Sequence, residues 1–215
     1  MNRLGLVLNS ILVTLSVLFT SACVAYLQYD SFPQSIVKIF QQDKPGHGTG
    51  FLIDYNDRQI VMSAEHVLKN GKFIVNGHNL VDIVISENLD TGFAYINTSS
   101  SIGPSLPIRC SEVTLGEEII AVGYPLEFPL VFSWGHVIAV NYKDEDGKGF
   151  LADITINMGQ SGGPVFDTDG KVVGVISAYA LRPTIGFGGY SRVYESADIA
   201  LIVPMSEICK EFNLE

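Results

Sequence analysis

The chain has 215 residues, with 13 lysines and arginines against 23 aspartates and glutamates, for a formal net charge of -10. No lysine or arginine run occurs, so there is no electrostatic footprint for a nucleic-acid partner, and the acidic surface speaks mainly for solubility. The length allows one domain, or two small barrels sharing an interface, once an apolar leader is set aside.

That leader is the first element, residues 1–30, MNRLGLVLNSILVTLSVLFTSACVAYLQYD. Arg3 is the only basic residue before Lys38, and Leu4 to Leu27 carry no charge, a stretch long enough to span a bilayer. The lone arginine sets the N-terminus inside and the following chain outside. Three fates fit: a retained signal anchor, a signal peptide cut near Ala22 or at Cys23-Val24-Ala25, or a lipoprotein leader. The last rests on Phe19-Thr20-Ser21-Ala22-Cys23, which resembles a bacterial lipobox with Cys23 as the lipidated residue. All three predict an extracytoplasmic protein, exported or held at the membrane by its N-terminal segment or by lipid at Cys23. A buried helix of a soluble domain fits poorly, because the apolar residues run all the way round.

From Ser35 onward, short apolar or alternating runs are separated by turn residues. SIVKIF, GTGFLID, QIVMSAEHV, KFIVN, VDIVI and FAYIN come first; EEIIAVGYP, SWGHVIAVNY, FLADITI, GPVFD, KVVGVISAYA and IALIVP follow. Strands of this length at this spacing predict an all-β sandwich or barrel. DEDGKG and DTDG are read as hairpin turns, with glycine supplying positive φ. Their Asp-x-Asp-Gly pieces hint at calcium, but no glutamate completes a calcium loop, and no histidine spacing suits a metal. Neither metal nor cofactor is expected.

The segment Ser99–Cys110, SSSIGPSLPIRC, divides the strands into two groups like a linker between barrels. The end, PMSEICKEFNLE, is predicted as a short helix, capped by Ser206 and with Ile208 and Phe212 on one face. Beyond Cys23 there remain Cys110 and Cys209, expected as two separate buried thiols, although an exported chain permits a disulfide.

Two stretches carry chemistry. In Asn157–Asp167, NMGQSGGPVFD, Ser161 sits among glycines that let the chain turn sharply and let a carbonyl approach. A serine nucleophile needs this exposure, together with backbone N–H groups aimed at the developing oxyanion; those of Gly159 and Ser161 are the candidates. In GTGFLIDYNDRQIVMSAEHVL, His66 follows Ser63-Ala64-Glu65 at the end of an apolar strand, where its ring can serve a serine as general base. His47, His78 and His136 have no comparable setting.

Together the two stretches resemble the trypsin-like (chymotrypsin-fold) serine proteases, and more closely the bacterial high-temperature-requirement proteases. DITINMGQSGGPVFDTDGKVVGV is similar to that group's nucleophile segment, GTGFLID…IVMSAEHVL to its histidine segment, and GEEIIAVGYPL with SWGHVIAV to the opening of its second barrel. The resemblance runs from about Ser35 to the C-terminus, with no PDZ-like module following. It implies two six-stranded antiparallel β-barrels, about 33–105 and 108–204, and a C-terminal helix about 205–213, all within a protease domain 31–215. It implies acyl transfer on polypeptide substrates, with Ser161 attacking, His66 taking its proton, and the Gly159 and Ser161 N–H groups holding the oxyanion.

It also implies that Thr155 lies at the base of the specificity pocket and that Ser177, Ala178 and Tyr179 form one wall. None of these supplies a carboxylate, so small or medium apolar residues are expected before the cleaved bond. Asp153 need not face the pocket, and RPTIGFGGYSRVYES is expected as a mobile loop beside it.

One departure concerns the acid. The family's acid directly precedes an apolar-Ala-apolar-apolar strand; here that strand is Phe93-Ala94-Tyr95-Ile96, and Gly92 precedes it. Asp90 stands two residues earlier, on the same side of an extended chain, about 6–7 Å further back. A bulge or tight turn at Thr91-Gly92 recovers that distance. The rival expectation leaves Asp90 in solvent, with His66 held by the Thr91 hydroxyl or a water, in a weak enzyme or a protease-fold scaffold.

Overall fold

The computed structural model describes residues 32–143, 148–185 and 192–214, without the side chains of 181–185 and 192–196. The leader, residues 1–30, lies outside the described residues, and among these no helix is long and apolar enough to cross a membrane. The barrels belong to the compact unit Gln34–Glu215.

The first barrel consists of β1 (Ile36–Gln41), β2 (His47–Tyr55), β3 (Arg58–Ser63), β4 (Phe73–Val75), β5 (His78–Ile85) and β6 (Gly92–Ile96). It closes in the order β1-β2-β3-β6-β5-β4, with β4 pairing back onto β1. The second consists of β7 (Glu118–Gly123), β8 (Val131–Lys143), β9 (Lys148–Ala152), β10 (Pro164–Phe166), β11 (Val172–Ile185) and β12 (Arg192–Pro204), closed in the order β10-β11-β12-β9-β8-β7. Every pairing is antiparallel, as expected for hairpin-linked short strands.

Each barrel fills its own core. Val37, Leu52, Val61, Phe73 and Ala94 pack in the first; Ile119, Val137, Phe150, Val173 and Ile202 in the second. Along β5 partly buried and exposed residues alternate over Val81–Ile85, the mark of a sheet with one wet face. Along β2 everything from Gly48 to Ile53 is buried. Its outer face is covered by the second barrel: the Thr49 N–H donates to the Ser161 carbonyl at 2.9 Å.

Several local expectations are corrected. His66 does not end a strand; β3 stops at Ser63 and His66 lies in a single helical turn, α1 (Glu65–Leu68). FLADITI is a strand only as far as Ala152, because Asp153 turns to accept the His136 backbone N–H. Most of RPTIGFGGYSRVYES is hairpin rather than loop, since β11 and β12 pair out to Ile185 and Arg192; its tip, 186–191, lies outside the described residues. So does 144–147 of the DEDGKG turn, although Lys143 and Lys148 pair on either side of it.

DTDG forms the expected turn between β10 and β11, with Gly170 at φ 77° and the Asp167 side chain accepting the Asp169 and Lys171 N–H groups.

The linker knits the barrels together rather than dangling between them. Leu106 donates to the Leu52 carbonyl, while Arg109 donates to the Val172 carbonyl and pairs with Glu117 and Asp167. The C-terminal helix α2 (Met205–Phe212) buries Ile208 and Phe212 as expected. Ser206 does not cap it: the cap position is Pro204, and Ser206 is buried inside the first turn.

The two cysteines are not separate thiols. Cys110, at the linker's end, and Cys209, on α2, form a disulfide with Cα atoms 5.8 Å apart. The linker and the helix pack against the same end of the second barrel, and this brings together residues 99 positions apart.

Candidate active site

The barrels meet along a cleft of about 310 Å³ whose lining includes His47, His66, Met158, Gly159, Ser161 and Tyr179. His66 enters from the first barrel on α1, and Ser161 from the second, in the turn before β10. A larger hollow of about 540 Å³ beside the linker, lined by Asp54, Arg58 and Ser101 among others, holds neither residue. Among the described residues no group of histidine, cysteine and acidic side chains could hold a metal ion.

Asp90 reaches His66. Its carboxylate lies 2.9 and 3.1 Å from Nδ1 and also accepts the His66 backbone N–H at 3.1 Å. The route is not the extended one. The Thr91 N–H closes onto the Leu89 carbonyl at 2.7 Å, a tight turn that swings Asp90 out of line with β6.

Gly92 is needed for another reason: a Cβ there would stand 2.6 Å from the Val84 carbonyl of β5. Thr91 does not hold the ring, since its hydroxyl donates to the Ser63 carbonyl at 3.2 Å.

A third group completes the acid's surroundings. The Ser177 hydroxyl donates to the Asp90 carboxylate at 2.6 Å. Ser177 is the extra residue at a bulge in β11, where pairing passes from Ile176–Ile202 directly to Ala178–Leu201, and the bulge re-aims its side chain. The Ser177 side chain thus serves the acid, while its carbonyl faces Ser161.

Burial pushes the Asp90 carboxyl up, but the His66 and Ser177 hydrogen bonds outweigh it and the net direction is down. For His66 the hydrogen bond to Asp90 dominates, burial opposes it, and the imidazole is raised above 6.5.

The Ser161 hydroxyl is directed at the Ser177 carbonyl, 3.5 Å away, rather than at His66. Catalytic hydrogen bonds are often unmade before substrate arrives. Gly159 has φ 94°, a backbone open to glycine, and neither its N–H nor that of Ser161 has a partner among the described residues. The Met158 carbonyl accepts the Leu126 N–H at 2.7 Å. Across a trans peptide the next N–H points the opposite way, so the Gly159 N–H is turned away from Leu126.

With this geometry, residues 48–175, more than half of the chain, match the family described as trypsin-like peptidase domain. The chain belongs to the trypsin-like peptidases. It is 30% identical over 154 residues to "Serine protease HTRA4" of Homo sapiens, covering 65% of this chain and 31% of that protein. It is 32% identical over 164 residues to "Probable periplasmic serine endoprotease DegP-like" of Chlamydia pneumoniae, covering 70% and 32%. The chain thus spans about a third of the length of these relatives. Among solved structures, the Rv3671c protease in its inactive form superposes with a TM-score of 0.65 at 17% identity, covering 86% of this chain and 91% of that one; this likeness concerns the fold alone.

As a trypsin-like peptidase domain, the chain places its expected substrate residues unevenly. Tyr179 lines the cleft. Ala178 lies in β11 beside the bulge. Thr155 is exposed and donates to the Asp198 carboxylate of β12 at 2.8 Å.

Asp198 escaped sequence reasoning because it is 43 residues from Thr155 and nothing local links them. His47 also escaped it. Its Nε2 lies 2.9 Å from the Tyr124 carbonyl beside Gly159, and the one local signal was its position two residues before Thr49 in a glycine-rich strand.

Proposed function

We propose that this protein is a serine endopeptidase acting outside the cytoplasm through Ser161, His66 and Asp90. The observation that carries the reading is the Asp90 carboxylate on His66 Nδ1. It holds the imidazole with Nδ1 protonated and leaves Nε2 free to act as a base. Ser161 leaves the Ser177 carbonyl by a change of χ1, gives its proton to His66, and attacks the substrate carbonyl. The N–H groups of Gly159 and Ser161 hold the tetrahedral oxyanion; His66 then protonates the leaving amine, and water releases the acyl group by the reverse path.

The extracytoplasmic location is supported by the Cys110–Cys209 disulfide, which persists in oxidising compartments, and by the apolar leader as export signal or anchor. The periplasmic name of the Chlamydia pneumoniae relative agrees.

For specificity we propose small or medium apolar residues before the cleaved bond, since Thr155 and the Ser177–Tyr179 edge bring no charge. One contact favours a basic residue instead: the Thr155 hydroxyl holds the Asp198 carboxylate. A peptide library separates them. Cleavage after alanine, valine or leucine supports the first reading; cleavage after arginine or lysine that disappears in Asp198→Asn supports the second.

Turnover itself is tested with casein. Ser161→Ala and His66→Ala are each expected to abolish measurable hydrolysis while leaving the circular dichroism spectrum unchanged. Wild-type hydrolysis by Ser161→Ala refutes the reading.

A further inference from the structure

Three fully buried hydroxyls, those of Thr91, Ser63 and Thr49, have no part in the proton transfers just described. They form a ladder. The Thr91 hydroxyl, next to the acid, donates to the Ser63 carbonyl at 3.2 Å; the Ser63 hydroxyl donates to the Thr49 carbonyl at 2.7 Å; the Thr49 hydroxyl donates to the Gly159 carbonyl at 2.7 Å. The rungs step from the turn before β6 to β3 to β2, and the last crosses into the nucleophile turn of the other barrel.

That crossing is reinforced at Tyr124. The Thr49 hydroxyl accepts the Tyr124 N–H at 3.0 Å, and His47, two residues earlier on β2, grips the Tyr124 carbonyl at 2.9 Å. A carbonyl only accepts, so His47 carries its proton on Nε2.

Glycines make room for this contact. A Cβ on Gly162 would strike the Ser63 hydroxyl and the Thr49 carbonyl, and one on Gly159 would strike the Tyr124 carbonyl. From within the turn, the Gln160 side-chain oxygen accepts the Asn157 N–H at 2.9 Å. The turn that carries the oxyanion donors is thus held from both barrels, by Thr49 of the first and by Leu126 and Ile176 of the second.

We infer that Thr49, backed by His47, is a positioning residue that sets the Gly159 N–H for the oxyanion, coupling the acid's strand to the oxyanion hole through the hydroxyl ladder. The inference rests on the serine-peptidase reading of the site. Thr49 touches no reacting atom. Leu126 holds the Met158–Gly159 peptide, which carries the donor, by its carbonyl, and Thr49 holds the next peptide by the Gly159 carbonyl, so the Gly159 backbone is pinned on both sides. Buried neutral hydrogen bonds suit this task because each lost rung strands a polar group away from water.

The test compares Thr49→Val, which keeps the shape and loses the hydroxyl, with Thr49→Ser, which keeps the hydroxyl. Thr49→Val is expected to lower kcat about 10- to 1000-fold with KM nearly unchanged, the mark of an interaction made in the transition state. A peptide-aldehyde inhibitor, whose hemiacetal oxygen occupies the oxyanion site, should weaken in parallel. Thr49→Ser should recover most of the loss. An unchanged kcat in Thr49→Val, or a rise in KM alone, overturns the inference.

If Thr49→Val does not fold, half-buried His47 decides, with His47→Leu expected to show the same signature and His47→Gln to recover it. A readout independent of turnover is the Gly159 amide chemical shift in a Ser161→Ala background. Thr49→Val should move it even if the wild type hydrolyses nothing, in which case only the functional reading falls. An unmoved Gly159 shift overturns the inference.

Discussion

Asp90 accepts from the His66 ring, the His66 backbone and the Ser177 hydroxyl. These donors keep a largely buried carboxyl ionised despite the cost of burial. Asp90→Asn keeps the shape and removes the charge, and kcat is expected to fall by up to about ten-thousandfold. A fall of less than about tenfold would make Asp90 a loop residue.

The same contact sets a pH dependence. His66 must be neutral to act as base, and its pKa is raised, so the acid limb of kcat/KM is expected above 6.5 and should move to lower pH in Asp90→Asn. Stability follows with opposite signs. The raised imidazole contributes fully below 6.5, and that contribution is lost as pH rises through its folded value. The depressed carboxyl contributes above 3.8 and its contribution is lost as pH falls through its folded value. The pair therefore stabilises most between these values. Thermal unfolding of wild type against Asp90→Asn should differ most in that window and less at pH 8; a difference that stays flat with pH would remove the pair from the account.

The C-terminal helix α2 holds both barrels. Cys209 ties it to the linker, the Glu211 carboxylate accepts the Ser86 hydroxyl at 3.0 Å, and Phe212 packs edge-on against Phe93 of the first barrel at 5.2 Å. Removing the disulfide frees a 99-residue loop in the unfolded chain, and Cys110→Ser with Cys209→Ser is expected to cost about 2–5 kcal/mol in denaturant unfolding. Phe212→Ala should cost about 3–5 kcal/mol by loss of a buried ring. A cost below about 1 kcal/mol for either would mean that the helix merely rests on the surface.

Much of this scale was legible in advance. The apolar runs from SIVKIF to IALIVP became strands, and Ile208 and Phe212 form a buried face, because period and turn residues are local signals. The disulfide and the true helix start were not legible. Ser206 looks like a cap by residue type, but tertiary contact buries it one turn position inside, and nothing in the spacing of Cys110 and Cys209 reveals that their elements share one end of a barrel.

Across the whole molecule, the cleft depends on β2 having no solvent face. Its buried run Gly48–Ile53 puts Thr49 and His47 against the turn that carries Ser161. The Ser161 motif could be read from sequence because the turn around it needs glycine for a local reason, positive φ at Gly159 and Gly162. Asp90 was legible as a candidate but its route was not, since the Leu89–Thr91 turn depends on Ser86 and on the packing of Gly92 against β5. The contacts of Ser177, Thr49 and Asp198 were illegible because each joins segments far apart in sequence.

The most direct measurement is mass spectrometry of the protein after treatment with a fluorophosphonate, which bonds only to a serine activated by its surroundings. The account predicts one adduct, on Ser161, absent in Ser161→Ala, abolished in His66→Ala and much slowed in Asp90→Asn. No adduct on the folded wild-type protein, or an adduct formed at the wild-type rate in His66→Ala, would contradict it.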